Sequence, residues 1–170
     1  MRSMPLTNLV QAVRPVPITI CTVAKASSPA ARAMASEWRD KLQRYVSVEE
    51  VCVKPNPKNV KDPLLAVQHE GERTLAALPN DAYVVLLDER GKALTSPGLA
   101  ALLTRASSDG SPRLAFLVGG PHGHHASVRA RADISIRLSD MVLNHQVAHV
   151  VLLEQLYRAW TILKGSPYHH

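Results

Sequence analysis

Five short apolar runs alternate with five segments of helical period, and this alternation limits the possible fold more than any other feature of the chain. The runs are residues 18–24, 48–54, 83–88, 114–118 and 134–138. They are aliphatic or β-branched and two of them are almost unbroken, as expected of parallel strands covered on both faces. Ser28-Pro29 supplies a helix N-cap followed by proline at the first helical position. Met34, Trp38, Leu42 and Tyr45 then recur at helical spacing. Asp62-Pro63 opens a second helix, with Leu64, Val67, Gly71, Leu75 and Leu78 along one side. Ser96-Pro97 opens a third, through about Arg105; residues 126–132 form a short fourth, and a fifth runs from His145 to about Leu163. The pattern predicts an α/β domain with a mainly parallel sheet flanked by helices. At 170 residues the chain is long enough for one domain with a substantial core.

Aromatic residues are only 4% of the chain, so that core is expected to be aliphatic. No run reaches the roughly 18 consecutive apolar residues of a membrane span. Cys21 and Cys52 sit in strand-like runs and read as small buried residues, not as a disulfide or metal site. The net charge of +6 suits a polyanionic partner, most simply nucleic acid. Residues 1–17 carry two arginines, three prolines and no acid. They read as a basic N-terminal extension, either a disordered terminus or the remnant of an organelle transit peptide. The first alternative places the chain in the cytoplasm, the second in a chloroplast or mitochondrion. The domain proper is expected over residues 18–170.

In parallel α/β sheets, ligands bind outside the carboxyl ends of the strands. Three loops qualify, at residues 88–92, 119–125 and 139–144. Gly119-Gly120-Pro121 leaves a strand directly, which permits close backbone approach to a ligand or only a tight strand exit. It is neither a phosphate loop nor a dinucleotide fingerprint, because the required Gly-Lys-Ser/Thr and G-x-G-x-x-G patterns are absent. His122, His124 and His125 have no cysteine or acid nearby, so a solvent-facing loop is expected rather than a metal site. The segment from Leu138 to Asn144 joins a strand to a helix that Asn144 can cap. Glu154 and Arg158 stand four apart and fit either a helix-surface ion pair or an RNA contact. The last helix is apolar on nearly all sides around Val147–Leu153, so a second subunit is expected to cover what the sheet does not. The chain closes on Pro167-Tyr168-His169-His170, a phenol and two imidazoles where a frayed tail is the default.

Several of these segments together resemble one family. They are Leu87-Asp88-Glu89-Arg90-Gly91-Lys92, Leu117-Val118-Gly119-Gly120-Pro121-His122-Gly123, Leu138-Ser139-Asp140-Met141, His145-Gln146, Leu153-Glu154-Gln155-Leu156-Tyr157-Arg158-Ala159 and Pro167-Tyr168-His169. In order and spacing they resemble the small SPOUT methyltransferases that methylate N3 of a pseudouridine in large-subunit ribosomal RNA. The resemblance extends from Ile18 to the C-terminus. Asn144-His145-Gln146 and the segment from Trp160 to Gly165 are most similar to the plant and algal branch.

The resemblance implies an α/β fold with a C-terminal trefoil knot, and a homodimer packed through the knot. It implies S-adenosyl-L-methionine as cofactor, held by Leu87, Gly119, Gly120, Leu138, Ser139, Asp140, Met141, Val142 and Leu143. His145, Arg158, Tyr168 and His169 are the implied catalytic residues, acting on ribosomal RNA in the large subunit, with no metal and no membrane. Two departures stand out. Bacterial members usually have Thr-Leu/Phe-Pro-His after the methionine, where this chain has Val142-Leu143-Asn144-His145. They also commonly carry arginine where this chain has His149. The alternatives are a catalytically idle knotted ribosome-binding or assembly factor, and a nucleotide-binding module unrelated to methyl transfer.

Overall fold

The computed structural model describes residues 13–170. Its strands are β1 (Ile18–Val23), β2 (Val48–Val53), β3 (Tyr83–Ala93), β4 (Leu114–Val118) and β5 (Ile134–Arg137). They form one five-stranded sheet in the order β2-β1-β4-β3-β5. Every pairing is parallel. The central strand β4 is buried along its whole length, which explains its unbroken Leu-Ala-Phe-Leu-Val sequence.

The helices are α1 (Pro29–Leu42), α2 (Pro63–Ala77), α3 (Ser96–Ser108), α4 (Ala126–Arg131) and α5 (His145–Leu163). Ser28 and Asp62 cap α1 and α2 as their sequences predict, accepting from the amides of Ala31 at 3.2 Å and Leu64 at 2.9 Å. The cap of α3 is Thr95, one residue before the expected serine, and accepts from Gly98 N at 3.0 Å. Helices α1, α3 and α5 cover one face of the sheet, where Leu42, Leu99, Leu103, Leu152, Leu156 and Trp160 pack on Ile18, Ile20, Val85 and Phe116. Leu78 and Val128 cover the other face with Cys21, Val84, Leu86 and Leu117. Each such side chain, fully buried, contributes about 1.5–3 kcal/mol, so the two layers fix the sheet on which the loops stand.

The structure shifts several expected details. Met34 is 54% exposed and Leu64 79% exposed. The inner face of α1 keeps the expected Trp38 and Leu42 and adds Ala35, and that of α2 keeps Gly71 and Leu75 and adds Ala66, Glu70 and Thr74. Gly71 faces inward on α2 where the chain crosses it closely: a Cβ there would lie 2.9 Å from the His125 side chain. Cys52 is exposed, because β2 is an edge strand with only partial cover. Cys21 is buried as expected, and burial, with Cys52 nearby, pushes its thiol up to about 11. Residues 88–92 are not a free loop. Strand β3 continues to Ala93, and its register against β5 shifts between Leu87 and Lys92.

The expected N-terminal extension falls mostly on residues 1–12, outside the described residues. Of the remainder, Val16 is 2% exposed, and Leu114 N donates to Pro17 O at 2.9 Å. This stretch packs on the domain rather than standing apart from it.

Candidate functional site

A cleft of about 700 Å³ opens at the carboxyl ends of β3, β4 and β5. It gathers all three loops singled out from the sequence. Its floor and walls include Leu87, Val118, Gly119, Gly120, Leu138, Leu143 and Ala148. Ser139, Met141, Val142, Asn144 and His145 complete one side. The rest of the wall is polar or charged, with Asp88, Arg90, Arg129 and Arg137 among its residues, and a cleft of this size with apolar and polar sides fits a small cofactor that carries both. Of the nine residues implied as cofactor contacts, all but Asp140 line it. Asp140 instead turns to the Arg137 guanidinium, with Nε 2.8 Å from its carboxylate.

The strand–helix loop is built to offer backbone groups. Asn144 caps α5, accepting from Gln146 N at 2.9 Å. Ser139 Oγ accepts from Met141 N at 2.9 Å. Among the described residues, that is the one backbone N–H of residues 139–143 with a protein acceptor. The remaining amides of this half-exposed loop are free to donate to solvent or to a bound molecule. Met141 and Val142 at its rim are 77% and 81% exposed.

Three side chains in the cleft wall have no role in the sequence reading. Asp88 has a side chain only 5% exposed and pairs with Arg129 of α4. It also accepts from Arg90 N at 2.9 Å. Burial opposes its ionisation, but the Arg90 amide and the Arg129 guanidinium outweigh that and hold its carboxyl below the usual range. His124 points inward, contrary to the solvent-facing expectation. Its Nε2 lies 3.0 Å from the Leu87 carbonyl oxygen. Burial lowers its pKa against the opposing effect of that hydrogen bond, favouring the neutral ring. Glycine at 119 makes room for it, since a Cβ there would lie 2.9 Å from Nε2. The legible signal for Asp88 was an acid at the end of an apolar strand. The signals for Arg129 and His124 appear only once α4 is folded against β3. His122 also lines the cleft, and His125 caps α4 instead.

The four implied catalytic residues fall into two groups. His145 lies in the cleft wall. Arg158, Tyr168 and His169 cluster at the far end of α5, thirteen residues on, about 20 Å along the helix axis. There Glu154 Oε1 accepts from Arg158 Nη2 at 2.9 Å and from the Tyr168 hydroxyl at 2.9 Å. The Arg158 guanidinium lies 4.6 Å from the Tyr168 ring centroid, and Nη1 stands 3.5 Å from His169 Nδ1. Tyr168 also packs edge-on against Tyr157 at 5.0 Å. Burial first, then its bond to Glu154, raises the Tyr168 pKa and keeps the phenol protonated. The tail is therefore docked rather than frayed, but one chain does not bring it to the cleft.

A family model described as "Predicted SPOUT methyltransferase" matches residues 16–169. The chain belongs to the SPOUT methyltransferase family. An Arabidopsis thaliana relative named "Putative RNA methyltransferase" is 48% identical over 160 residues, covering 94% of this chain and 83% of its own. "Ribosomal RNA large subunit methyltransferase H" of Syntrophotalea carbinolica is 39% identical over 153 residues, covering 90% and 98%. The crystal structure titled "Probable Methyltransferase from Bordetella pertussis Tohama I" aligns with a TM-score of 0.53 at 16% identity, covering 90% of this chain and 98% of that one. This last likeness concerns the fold alone. With the SPOUT fold fixed, His149 can be placed. It is turned away from the cleft, with Nε2 2.5 Å from Glu50 Oε1, while Arg39 Nη1 donates to Glu50 Oε2 at 2.6 Å. The hydrogen bond from His149, supported by Arg39, holds the Glu50 carboxyl low against the effect of burial. In this chain His149 ties α5 to β2 and α1.

Proposed function

We propose that this SPOUT methyltransferase methylates N3 of a pseudouridine in large-subunit ribosomal RNA, on assembled subunits, using S-adenosyl-L-methionine. The cleft is the observation that carries this reading. It joins a glycine exit, an apolar wall and a loop of unpaired backbone donors. The RNA substrate is supported by the names of the Arabidopsis and bacterial relatives. The fit to the cofactor rests on the unpaired amides around Asp140, Val142 and Leu143, and on a volume of about 700 Å³.

When bound, S-adenosylmethionine supplies an electrophilic methyl on a sulfonium whose leaving group is neutral. The chain's own task is to align the target nitrogen with that methyl and to help remove the N3 proton. Leu87, Leu138 and Leu143 would exclude water around the donor. His145, at the mouth of the cleft, would face the incoming base. Tyr168, kept protonated, acts as a hydrogen-bond donor and not as the base. Arg158, held by Glu154, presents a fixed positive charge.

The 20 Å separation along α5 motivates the second part of the proposal. A second copy of the chain brings its Arg158, Tyr168 and His169 to this cleft, so that each active site is composite. Met141, Val142 and the half-exposed Val147 form apolar surface next to the cleft that such a partner would cover. The trefoil knot belongs to the same reading, and so does an organellar ribosome as target if the residues before the packed stretch at Val16 act as a transit remnant.

The test is methyl transfer in vitro. Purified protein, methyl-labelled S-adenosylmethionine and large ribosomal subunits lacking the modification are incubated, and the RNA is digested to nucleosides for mass spectrometry. The expected product is 3-methylpseudouridine. Label in a different nucleoside would refute the N3 assignment, and no label in RNA would leave the idle ribosome-binding factor as the better account.

A further inference from the structure

A second hollow, of about 340 Å³, lies at the carboxyl ends of β1 and β2. It is lined by residues 24–26 on one side and by Cys52, Lys54 and Pro55 on the other. Lys25 and Lys54 stand in its wall and are exposed. Lys58 and Lys61 are exposed on the loop that follows β2. Among the described residues none of these four ammonium groups has a carboxylate partner. The nearby acids are engaged elsewhere. Glu49 pairs with Arg113 at 3.0 Å, and Glu50 with Arg39 and His149. Glu70, 5% exposed, accepts from Asn56 N at 2.8 Å, and Asp62 caps α2. Glu70 and Asp62 keep their charge but pair with backbone amides, so four ammonium groups against two carboxylates leave this edge net positive.

The loops that carry the lysines are built rather than loose. Asn56 and Asn59 take left-handed conformations, with φ of 45° and 53°. The Asn56 side chain donates to Val60 O at 2.9 Å and accepts from Val60 N at 3.0 Å. On the other side, Ala24 N donates to Val53 O at 3.1 Å, and Ser28 N donates to Gln146 Oε1 at 2.8 Å. Gln146 follows His145, which lines the cleft, so the Lys25 loop is fixed to the cleft's mouth. β1 neighbours β4, and adjacent strands lie about 4.8 Å apart. The hollow therefore stands on the order of 10 Å from the Gly119–Gly120 exit, close enough for nucleotides flanking one held in the cleft.

We propose that this hollow is a subsite for the RNA sugar-phosphate backbone, with Lys25 and Lys54 holding phosphates and Lys58 extending the track. This rests on the RNA methyltransferase reading above. Lysines act here as point charges, so the contact positions the strand and reads no sequence.

The test compares wild type with the full-length variants K25A/K54A/K58A and K25R/K54R/K58R. Two readouts are taken on large ribosomal subunits: methyl transfer across a salt series, and co-sedimentation without the methyl donor. The alanine variant is expected to melt like wild type and bind S-adenosylmethionine equally well. Its KM for subunits should rise at least tenfold with kcat unchanged. Its plot of log affinity against log salt should be shallower by about 2–3, since each of the three lost phosphate contacts removes roughly 0.7–0.9. The arginine variant should restore both. Unchanged KM and salt slope in the alanine variant would overturn the subsite while leaving the methyltransferase reading intact. Wild type that transfers no methyl refutes that reading instead, and co-sedimentation then decides the subsite: weaker binding by the alanine variant supports it, and equal or absent binding overturns it.

Discussion

Replacing Gly91 by alanine should deform the cleft from behind. Gly91 lies in the stretch of β3 where register against β5 shifts, directly over the backbone of Ile136. A Cβ there would sit 2.5 Å from Ile136 C and 2.6 Å from Ile136 N. Ordinary van der Waals contact begins at 3.4 Å, so β5 must move by nearly an ångström. No rotamer relieves a clash with main chain, so the cost belongs at the upper end of overpacking, about 3 kcal/mol. With a urea m-value of about 2 kcal/mol/M, the midpoint should fall by roughly 1.5 M. The displacement also reaches function. Arg137 of β5 donates to Gly91 O at 2.8 Å and to Asp140, so the loop at residues 138–144 moves with the strand. Calorimetric titration should show S-adenosylmethionine affinity falling at least tenfold. Gly110→Ala is the control. Gly110 has φ of +73° and nothing within 4 Å of an added Cβ, so it should cost only about 1–2 kcal/mol of backbone strain and leave donor affinity unchanged. An unchanged midpoint and donor affinity for Gly91→Ala would refute the view that this bulge sets the cleft floor.

Two carboxylates carry further predictions. Glu50→Gln removes the charge and one of the two oxygens that His149 and Arg39 share and should destabilise the fold by about 2 kcal/mol in chemical denaturation, less than a fully buried pair because these side chains retain some exposure. The folded Glu50 pKa is depressed, so its stabilisation is complete above the unfolded value of about 4.3 and is lost as pH falls through the lower folded value. The variant should therefore show a flatter stability profile below about pH 4.3 than wild type. Asp88→Asn removes the partner of Arg129 in the cleft wall and should cost about 1–2 kcal/mol, with weakened donor binding by titration. The sign is the same: the folded pKa is lowered, so the wild-type advantage is present above about pH 3.9 and fades on further acidification. Equal stability of variant and wild type at neutral pH would contradict either assignment.

The fold was largely legible because its signals were local. Ser28-Pro29 and Asp62-Pro63 mark helix starts through chemistry that needs no partner, and the unbroken residues of β4 announce a strand with cover on both faces. Errors came where packing decided between equal local choices. Ala35 lies inside and Met34 outside because the face that turns Trp38 and Leu42 toward the core passes through position 35, and buried Glu70 accepts from Asn56 N. The cleft was legible as three loops, since strand ends in a parallel sheet converge. Its interior wiring was not. Asp88 meets Arg129 across 41 residues, and His124 meets Leu87 across 37, pairings that only the register of β3 and the placement of α4 create. The separation of His145 from Arg158, by contrast, follows from helix rise alone once α5 is known to be continuous.

The composite site is the central claim, and mixing two disabled chains tests it most directly. One variant, Gly119→Val, fills the cleft beside His124 and keeps its tail. The other ends after Ser166 and keeps its cleft. Each alone should be inactive toward large ribosomal subunits. After co-refolding in equal amounts, half the dimers pair one of each, and each mixed dimer holds one intact cleft facing one intact tail. Methyl transfer should return to about a quarter of the wild-type specific activity. Full activity of the truncated chain alone, or no recovery when mixed dimers are verified by mass, would contradict the account.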